Sequence, residues 1–293
     1  MRRSLIINAD DLGYTRGINR AVDRCASRGI LRSATVMACG NAFEDAVAVA
    51  KRNPGLSIGV HLVLTGLRPL SRPADIPGLV DGEGFLPSGP DALMGGLLSG
   101  RISRRAVYRE LELQVTKVLD HGIVPTHLDS HKHVHLLPQV LEAVVAVASR
   151  FSIGWIRNPF DGCSVRDLYP TVSPGCRTIF FKQHLKSRIA CFFRPSFFRI
   201  LRRAGLRAPD RFSGVSLTGI WNEDSLRRLI RRVPPGLSEW MLHPGDCDEE
   251  LLHQGSRLRE SREIERDLLL SPVLRELVRE SRITLAAFGE ENA

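Results

Sequence analysis

Apolar and polar positions alternate between two rhythms along this chain, short buried-looking runs and longer stretches of helical period. Ser4–Ala9 is a compact apolar run that ends in the acidic Asp10-Asp11-Leu12-Gly13, which predicts a buried strand with an acidic carboxyl end. From Gly17 to Arg28, Ile18, Ala21, Val22 and Cys25 recur at helical spacing, and Gly29 stops the pattern. The same reading predicts strands over 34–38 and 57–64, with a helix over 43–51 between them and Asn53-Pro54 closing it. Residues 65–100 are rich in Pro and Gly and read as a long loop at the mouth of a site. A helix over 102–119 and a strand over 124–128 follow. Pro138 opens a helix reaching Ser149, and a strand covers 153–156. Residues 158–212 read as irregular. Then come a strand over 215–217, a helix over 223–232 and a strand over 238–242. A helical stretch over 257–280, broken at Pro272, precedes a last strand over 283–287.

Strand and helix alternate six or seven times with no internal repeat. That rhythm predicts an α/β fold with parallel strands and covering helices, closing as a deformed, TIM-like (β/α) barrel rather than an open sheet. The chain reads as a single domain over 1–293, carrying an insertion over 176–211.

Composition narrows the function classes. The chain has 293 residues, 43% hydrophobic and 25% charged, enough for a full core and too apolar for general disorder. No apolar run is long enough to span a bilayer. Met1-Arg2-Arg3 followed by Ser4–Ile7 begins like an export signal, but Asn8, Asp10 and Asp11 interrupt the apolar region, which points to a cytoplasmic protein. The six Cys include no C-x-x-C pair, so they read as free thiols and a Cys-only zinc site is not expected. The net charge of +9 sits in one place. Between Cys176 and Arg211 there are ten Lys or Arg and one acid, Asp210, together with six of the twelve Phe. A neutral globule with one basic, aromatic segment does not read as a nucleic-acid binder, whose charge would spread over a binding face. The layout of that segment instead predicts a helix pair over 178–204, with Phe180, Phe181, His184, Leu185, Ile189, Phe192 and Phe193 on one apolar side. Pro195 restarts the second helix, which carries Phe197, Phe198 and Leu201 and closes at Gly205. This is the pattern of a lid or a peripheral membrane contact, against the blander reading of a solvated insertion.

The candidate chemistry lies where strands end, as it does in barrels and open α/β sheets. Asp10 and Asp11, adjacent on an extended chain, are expected to point to opposite sides, one towards a metal and one towards substrate; capping of the following helix is the alternative. Five of nine His fall between 121 and 135. At period two, His127, Asp129, His131, His133 and His135 would share one face of an extended segment. Such a face is costly to bury without an ion and suits a divalent cation, with a solvated His-rich loop as the alternative. A catalytic zinc needs about three protein ligands, which a strand-1 carboxylate, His61 and one His of the cluster would supply. His243, before Pro244-Gly245, reads as a proton donor beside the metal or as a turn residue. Arg157 reads as a clamp that keeps a carboxylate ionised, or as half of a surface ion pair.

Taken together, Asn8-Ala9-Asp10-Asp11-Leu12-Gly13, Gly59-Val60-His61-Leu62, Thr126-His127-Leu128-Asp129-Ser130-His131 with His133 and His135, and His243-Pro244-Gly245 resemble the YdjC-like carbohydrate deacetylases. The pieces come in the family's order and span residues 4 to about 287. Leu12 stands where the family usually has Phe. The stretch 160–215 is the weakest match to the chitooligosaccharide branch; its Arg-rich run and Asp210-Arg211-Phe212-Ser213-Gly214 look more like the hopanoid-associated branch. The resemblance implies a deformed (β/α) barrel and metal-dependent removal of an N-acetyl group from an amino sugar. The substrate would be a glycan or a glycolipid such as an N-acetylglucosaminyl hopanoid. By position it makes Asp11, His61 and His131 ligands of Mg²⁺ or Zn²⁺, Asp10 the general base and His243 the acid, with Asp129 and Arg157 orienting them. A hydrolase of another bond on the same barrel, or a non-catalytic metal- or glycan-binding protein, stays as the alternative. The metal, the sugar and the oligomeric state, a homodimer included, stay open.

Overall fold

The computed structural model describes residues 2–290. Its strands are β1 (Arg3–Leu12), β2 (Ser33–Val36), β3 (Ser57–Leu62), β4 (His127–Ser130), β5 (Trp155–Ile156), β6 (Arg211–Ser213), β7 (Gly236–Leu242) and β8 (Thr284–Ala286). All pair in parallel in one sheet, in the order β5-β4-β3-β2-β1-β7-β6, with β8 beside the first half of β1. The sheet curls until its two edges approach: bridges join Trp155 to Arg207 and Asp161 to Phe212. It is a deformed (β/α) barrel, closed at one seam by isolated bridges instead of a full ladder.

The helices are α1 (Arg16–Arg28), α2 (Phe43–Arg52), α3 (Pro90–Leu98), α4 (Arg104–Asp120), α5 (Pro138–Arg150), α6 (Val165–Leu168), α7 (Arg177–Ala190), α8 (Arg194–Arg203), α9 (Glu223–Arg231), α10 (Glu249–Leu252), α11 (Glu260–Leu270) and α12 (Pro272–Glu280). Local signals mark several of them. In α1 the Thr15 hydroxyl accepts from the Ile18 N–H, and Ile18, Ala21, Val22 and Cys25 face the sheet. Full burial of Ile18 and Val22 stabilises the packing by about 1.5–3 kcal/mol each. Thr15, not Asp10 or Asp11, caps α1, so the acidic pair is free for other work. Asn222 closes a capping box on α9, and Ser271 with Pro272 ends α11 and starts α12.

Apolar side chains form two bodies. The larger lies between sheet and helices. The smaller, Ile6, Trp155, Leu237, Ala286 and Phe288, plugs the amino-terminal floor of the barrel. Above that plug the interior is polar: Asn8, Asp10, Ser33, Thr35, His61, Asp129, Arg157 and Glu239 are all buried there. The strands' carboxyl ends therefore open from a chamber of charged groups.

Four expectations change. The 65–100 stretch contains α3, which Pro90 starts. Residues 215–217 form a 3₁₀ turn, and the strand is β6 instead. Residues 158–212 hold helices, α7 and α8 among them, as the pattern of 178–204 had required. The strand expected over 124–128 is β4, shifted to His127–Ser130. No helix among the described residues is long and apolar enough to cross a membrane.

Candidate metal centre

β1 delivers two carboxylates to one site by breaking its own alternation. Its register with β2 slips between Ala9 and Leu12, and Asp11 takes a left-handed backbone, φ 68°. Asp tolerates that conformation better than most residues. The bulge turns both side chains towards His61: Asp11 Oδ1 lies 3.5 Å from His61 Nε2, and Asp10 Oδ2 lies 4.0 Å from His61 Nδ1. The expectation that the two acids point to opposite sides is thereby corrected.

His61 sits near the end of β3 beside Asp129, its register partner on β4. Its Nδ1 donates to Asp129 Oδ1 at 2.8 Å, which leaves Nε2 facing Asp11. Thr35 on β2 donates to Asp129 Oδ2. Burial alone would lower the His61 pKa, but Asp129, Asp10 and Asp11 push it up to about 9. The same carboxylates favour any cation placed at that imidazole.

His131 follows β4 directly, and its Nδ1 lies 3.4 Å from Asp11 Oδ1. Burial lowers its pKa against the pull of Asp11, so the neutral, ligand-competent form prevails. The period-two face does not continue past it. His131–Leu136 is a 3₁₀ turn in which Lys132 and His133 adopt left-handed backbones, φ 55° and 53°. His127 drops to the barrel floor and stacks on Phe288 at 3.7 Å between centroids. His133 abuts Phe212, while His135 is held by Ser130 and faces the Arg157 carbonyl. Burial lowers the pKa of all three, that of His135 to about 3. Of the five-residue face, only Asp129 and His131 reach the centre.

Arg157, fully buried after β5, grips Asp10 with two hydrogen bonds of 2.7 and 2.6 Å. It also pairs with Asp129 and donates from Nε to Glu239 at 2.7 Å. It is no surface ion pair. Burial opposes ionisation of Asp10, yet Arg157 and His61 hold its carboxyl well below the usual carboxylate range. Asn8 donates a third hydrogen bond to Asp10 at 2.9 Å. His243, just after β7, is close enough to be pulled upward by Asp11 and Asp10, but burial dominates and brings it down to about 4. Its Nδ1 has no hydrogen-bond partner.

Beside the site stand three buried charged groups that the sequence reading did not single out. Arg262 on α11 donates to Asp11 Oδ2 at 2.6 Å, and its charge holds Asp11 well below the usual range despite burial. Glu265, one turn on, accepts from the His243 N–H at 2.6 Å; burial raises its carboxyl to about 7. Burial likewise raises Glu239 to about 8, only partly offset by Arg157. A Glu inside the apolar run of β7 is a visible sequence signal. Arg262 and Glu265 carry none, because six of the eleven residues of α11 are charged.

The donor set can be tested for a metal on one atom. Asp11 Oδ1 is buried without a hydrogen-bond partner, while the other oxygen of that carboxylate is tied to Arg262. Two imidazole nitrogens face the orphaned oxygen, and one ligand atom each from Asp11, His61 and His131 lies within 4.8 Å of the others. An orphaned carboxylate oxygen between two imidazoles is costly alone and is satisfied by a divalent cation, so the residues fit one.

The YdjC-like protein family matches residues 4–280 of this chain. A carbohydrate deacetylase of Brevibacillus brevis is 31% identical, covering 98% of each chain. A chitooligosaccharide deacetylase of Serratia marcescens is 29% identical over 99% of this chain and 100% of its own. A solved structure from Enterococcus faecalis V583 has the same fold, with a TM-score of 0.75 at 24% identity over 98% of both chains.

Proposed function

The chain belongs to the YdjC-like family, and from that premise we propose that it hydrolyses the N-acetyl group of an acetylated amino sugar, releasing acetate and a free amine. In this reading Asp11, His61 and His131 hold a divalent ion, magnesium or zinc. When bound, such an ion polarises an amide carbonyl and makes water more acidic. Asp10, kept ionised by Arg157, takes the proton from the water that adds to the carbonyl carbon. The carbon–nitrogen bond then breaks, and the proton passes from Asp10 by way of His243 to the departing amine. Asp129 fixes the tautomer of His61, Arg262 orients Asp11, and Glu265 anchors the backbone of His243. The observation that carries the reading is Asp11 Oδ1, buried with no hydrogen bond and facing the imidazole nitrogens of His61 and His131 at 3.5 and 3.4 Å.

One observation favours a second division of labour. Both oxygens of Asp10 are engaged by Arg157, and its depressed pKa makes it a weak base, whereas His243 is neutral with a free Nδ1. In that version His243 accepts the water proton and later returns it to the amine, while Asp10 positions the water. Asp10→Asn separates the two: loss of nearly all turnover supports Asp10 as base, and retention of a substantial part supports His243.

The finer substrate we propose is a lipid-linked amino sugar such as an N-acetylglucosaminyl hopanoid, on the resemblance of 160–215. The test incubates zinc- or magnesium-loaded protein with N-acetylglucosamine-bearing glycans and glycolipids and measures acetate and free amine. Equal amounts of both are expected, with loss of metal content and turnover in Asp11→Ala and His131→Ala. Full metal content and activity in both variants would sink the assignment. Tight sugar binding without turnover would favour a non-catalytic module, and turnover only of a phosphoester or cyclic amide would favour another hydrolase.

A further inference from the structure

α7 packs on the turn just past β6, at the carboxyl-terminal end of the barrel, and α8 packs beside α5. The Ser216 hydroxyl, just past β6, meets His184 Nδ1 at 3.2 Å, and Ser216 O accepts from Gln183 Nε2. Phe180, Phe197 and Leu201 are buried, and Phe197 packs on Phe160 and His135. The pair is therefore fixed to the barrel by only part of its apolar content. The remainder faces outward: Phe181 is 48% exposed, Leu185 62%, Ile189 63% and Phe192 84%. Residues 181, 185 and 189 are spaced one helical turn apart, and Phe192 continues the line into the bend before α8, so the four form one stripe. The sequence had placed Phe180, His184 and Phe193 on the same apolar side; Phe180 turns inward and the other two are half-buried.

Arg177, Lys182, Lys186 and Arg188 on α7 and Arg194, Arg199, Arg202 and Arg203 on α8 are all exposed, and none forms an ion pair among the described residues. No acid occurs between Asp167 and Asp210. An exposed apolar stripe inside a purely cationic field asks for a partner that is negative at its surface and apolar just beneath. Duplex nucleic acid offers the charge but sets four bulky apolar groups against phosphates. A second copy of this chain offers apolar contact but opposes like charges.

We propose that α7–α8 docks the protein on an anionic lipid surface, the Phe181–Leu185–Ile189–Phe192 stripe entering the acyl boundary and the Lys and Arg side chains meeting lipid phosphates. α7 meets the barrel at the turn just past β6, at the carboxyl-terminal end where Asp11, His61 and His131 also come together. This inference stands without the deacetylase reading, because binding requires no turnover.

The test is co-sedimentation of the full chain with phosphatidylcholine vesicles, with and without phosphatidylglycerol, at two salt concentrations. Binding to the anionic vesicles is expected to exceed that to neutral ones by about tenfold or more and to weaken with salt. Leu185→Ser with Phe192→Ser, both at exposed positions, should reduce binding about tenfold with an unchanged melting temperature. Lys182→Glu with Lys186→Glu should do the same. Three results would overturn the proposal: no preference for anionic vesicles, serine variants that bind as well as the parent, or a concentration-dependent dimer that the serine variants abolish while no vesicle binding occurs. Binding to duplex DNA that survives the serine substitutions, with no vesicle binding, would move the assignment to nucleic acid.

Discussion

Asp11 shows most sharply how one residue acquires a role. One of its oxygens is held by Arg262 and the other is left buried between His61 and His131. Cutting the first contact with Arg262→Met leaves a buried carboxylate uncompensated, and we expect a loss of about 3–5 kcal/mol in denaturant unfolding of chelator-treated protein. Asp129→Asn keeps its shape but no longer accepts the His61 N–H as a carboxylate does. Metal affinity should fall about 10–100-fold, read by competition with a chromophoric chelator. Glu265 offers a test in pH. Its folded carboxyl is raised to about 7, above the ordinary 4.5, so the folded state prefers it protonated. That preference contributes fully below the unfolded value and is lost as pH rises through the folded one. The stability of Glu265→Gln relative to the parent should therefore increase between pH 4.5 and about 7 and stay level above, as measured by thermal melts of metal-free protein. At this scale the structure brings Asp10, Asp11, His61, Asp129, His131, Arg157 and His243, which the sequence singled out, together at the strand ends. It was silent on Arg262 and Glu265, because a charged residue on a charged helix gives no sign of which face is buried.

Single elements depend on close approaches that patterning shows only in part. β3 passes the floor of the barrel at Gly59, where a Cβ would lie 2.5 Å from the His127 ring. That ring is stacked on Phe288 and cannot withdraw. Gly59→Ala should cost about 1–3 kcal/mol by overpacking, seen as a lower melting temperature, with Asp11, His61 and His131 still in place. The strands and long helices were readable because their apolar period decides them. Two features were not. The bulge at Asp11 and the left-handed pair Lys132–His133 both break a period-two pattern, and nothing in the local sequence compels either break. They are tolerated because the surrounding barrel, Arg262 and the buried imidazoles hold each in place.

For the whole molecule, metal and fold should be linked. A cation that binds only the folded chamber adds about 2.7 kcal/mol of stability at roughly a hundred times its dissociation constant. Titrating zinc into chelator-treated protein should raise the melting temperature, and Asp11→Asn should abolish the rise. The barrel itself, its parallel order, the clustering of acids and imidazoles at strand ends and the confinement of charge to one segment were determined by the sequence, since periodicity and composition encode burial and charge directly. Which His of the run reaches the centre, which acids are locked by arginine, and which Phe of the basic segment faces solvent were decided only by tertiary structure. Those outcomes depend on bulges, turns and neighbours far apart in the chain, whose energies are settled when the barrel closes and desolvates them together.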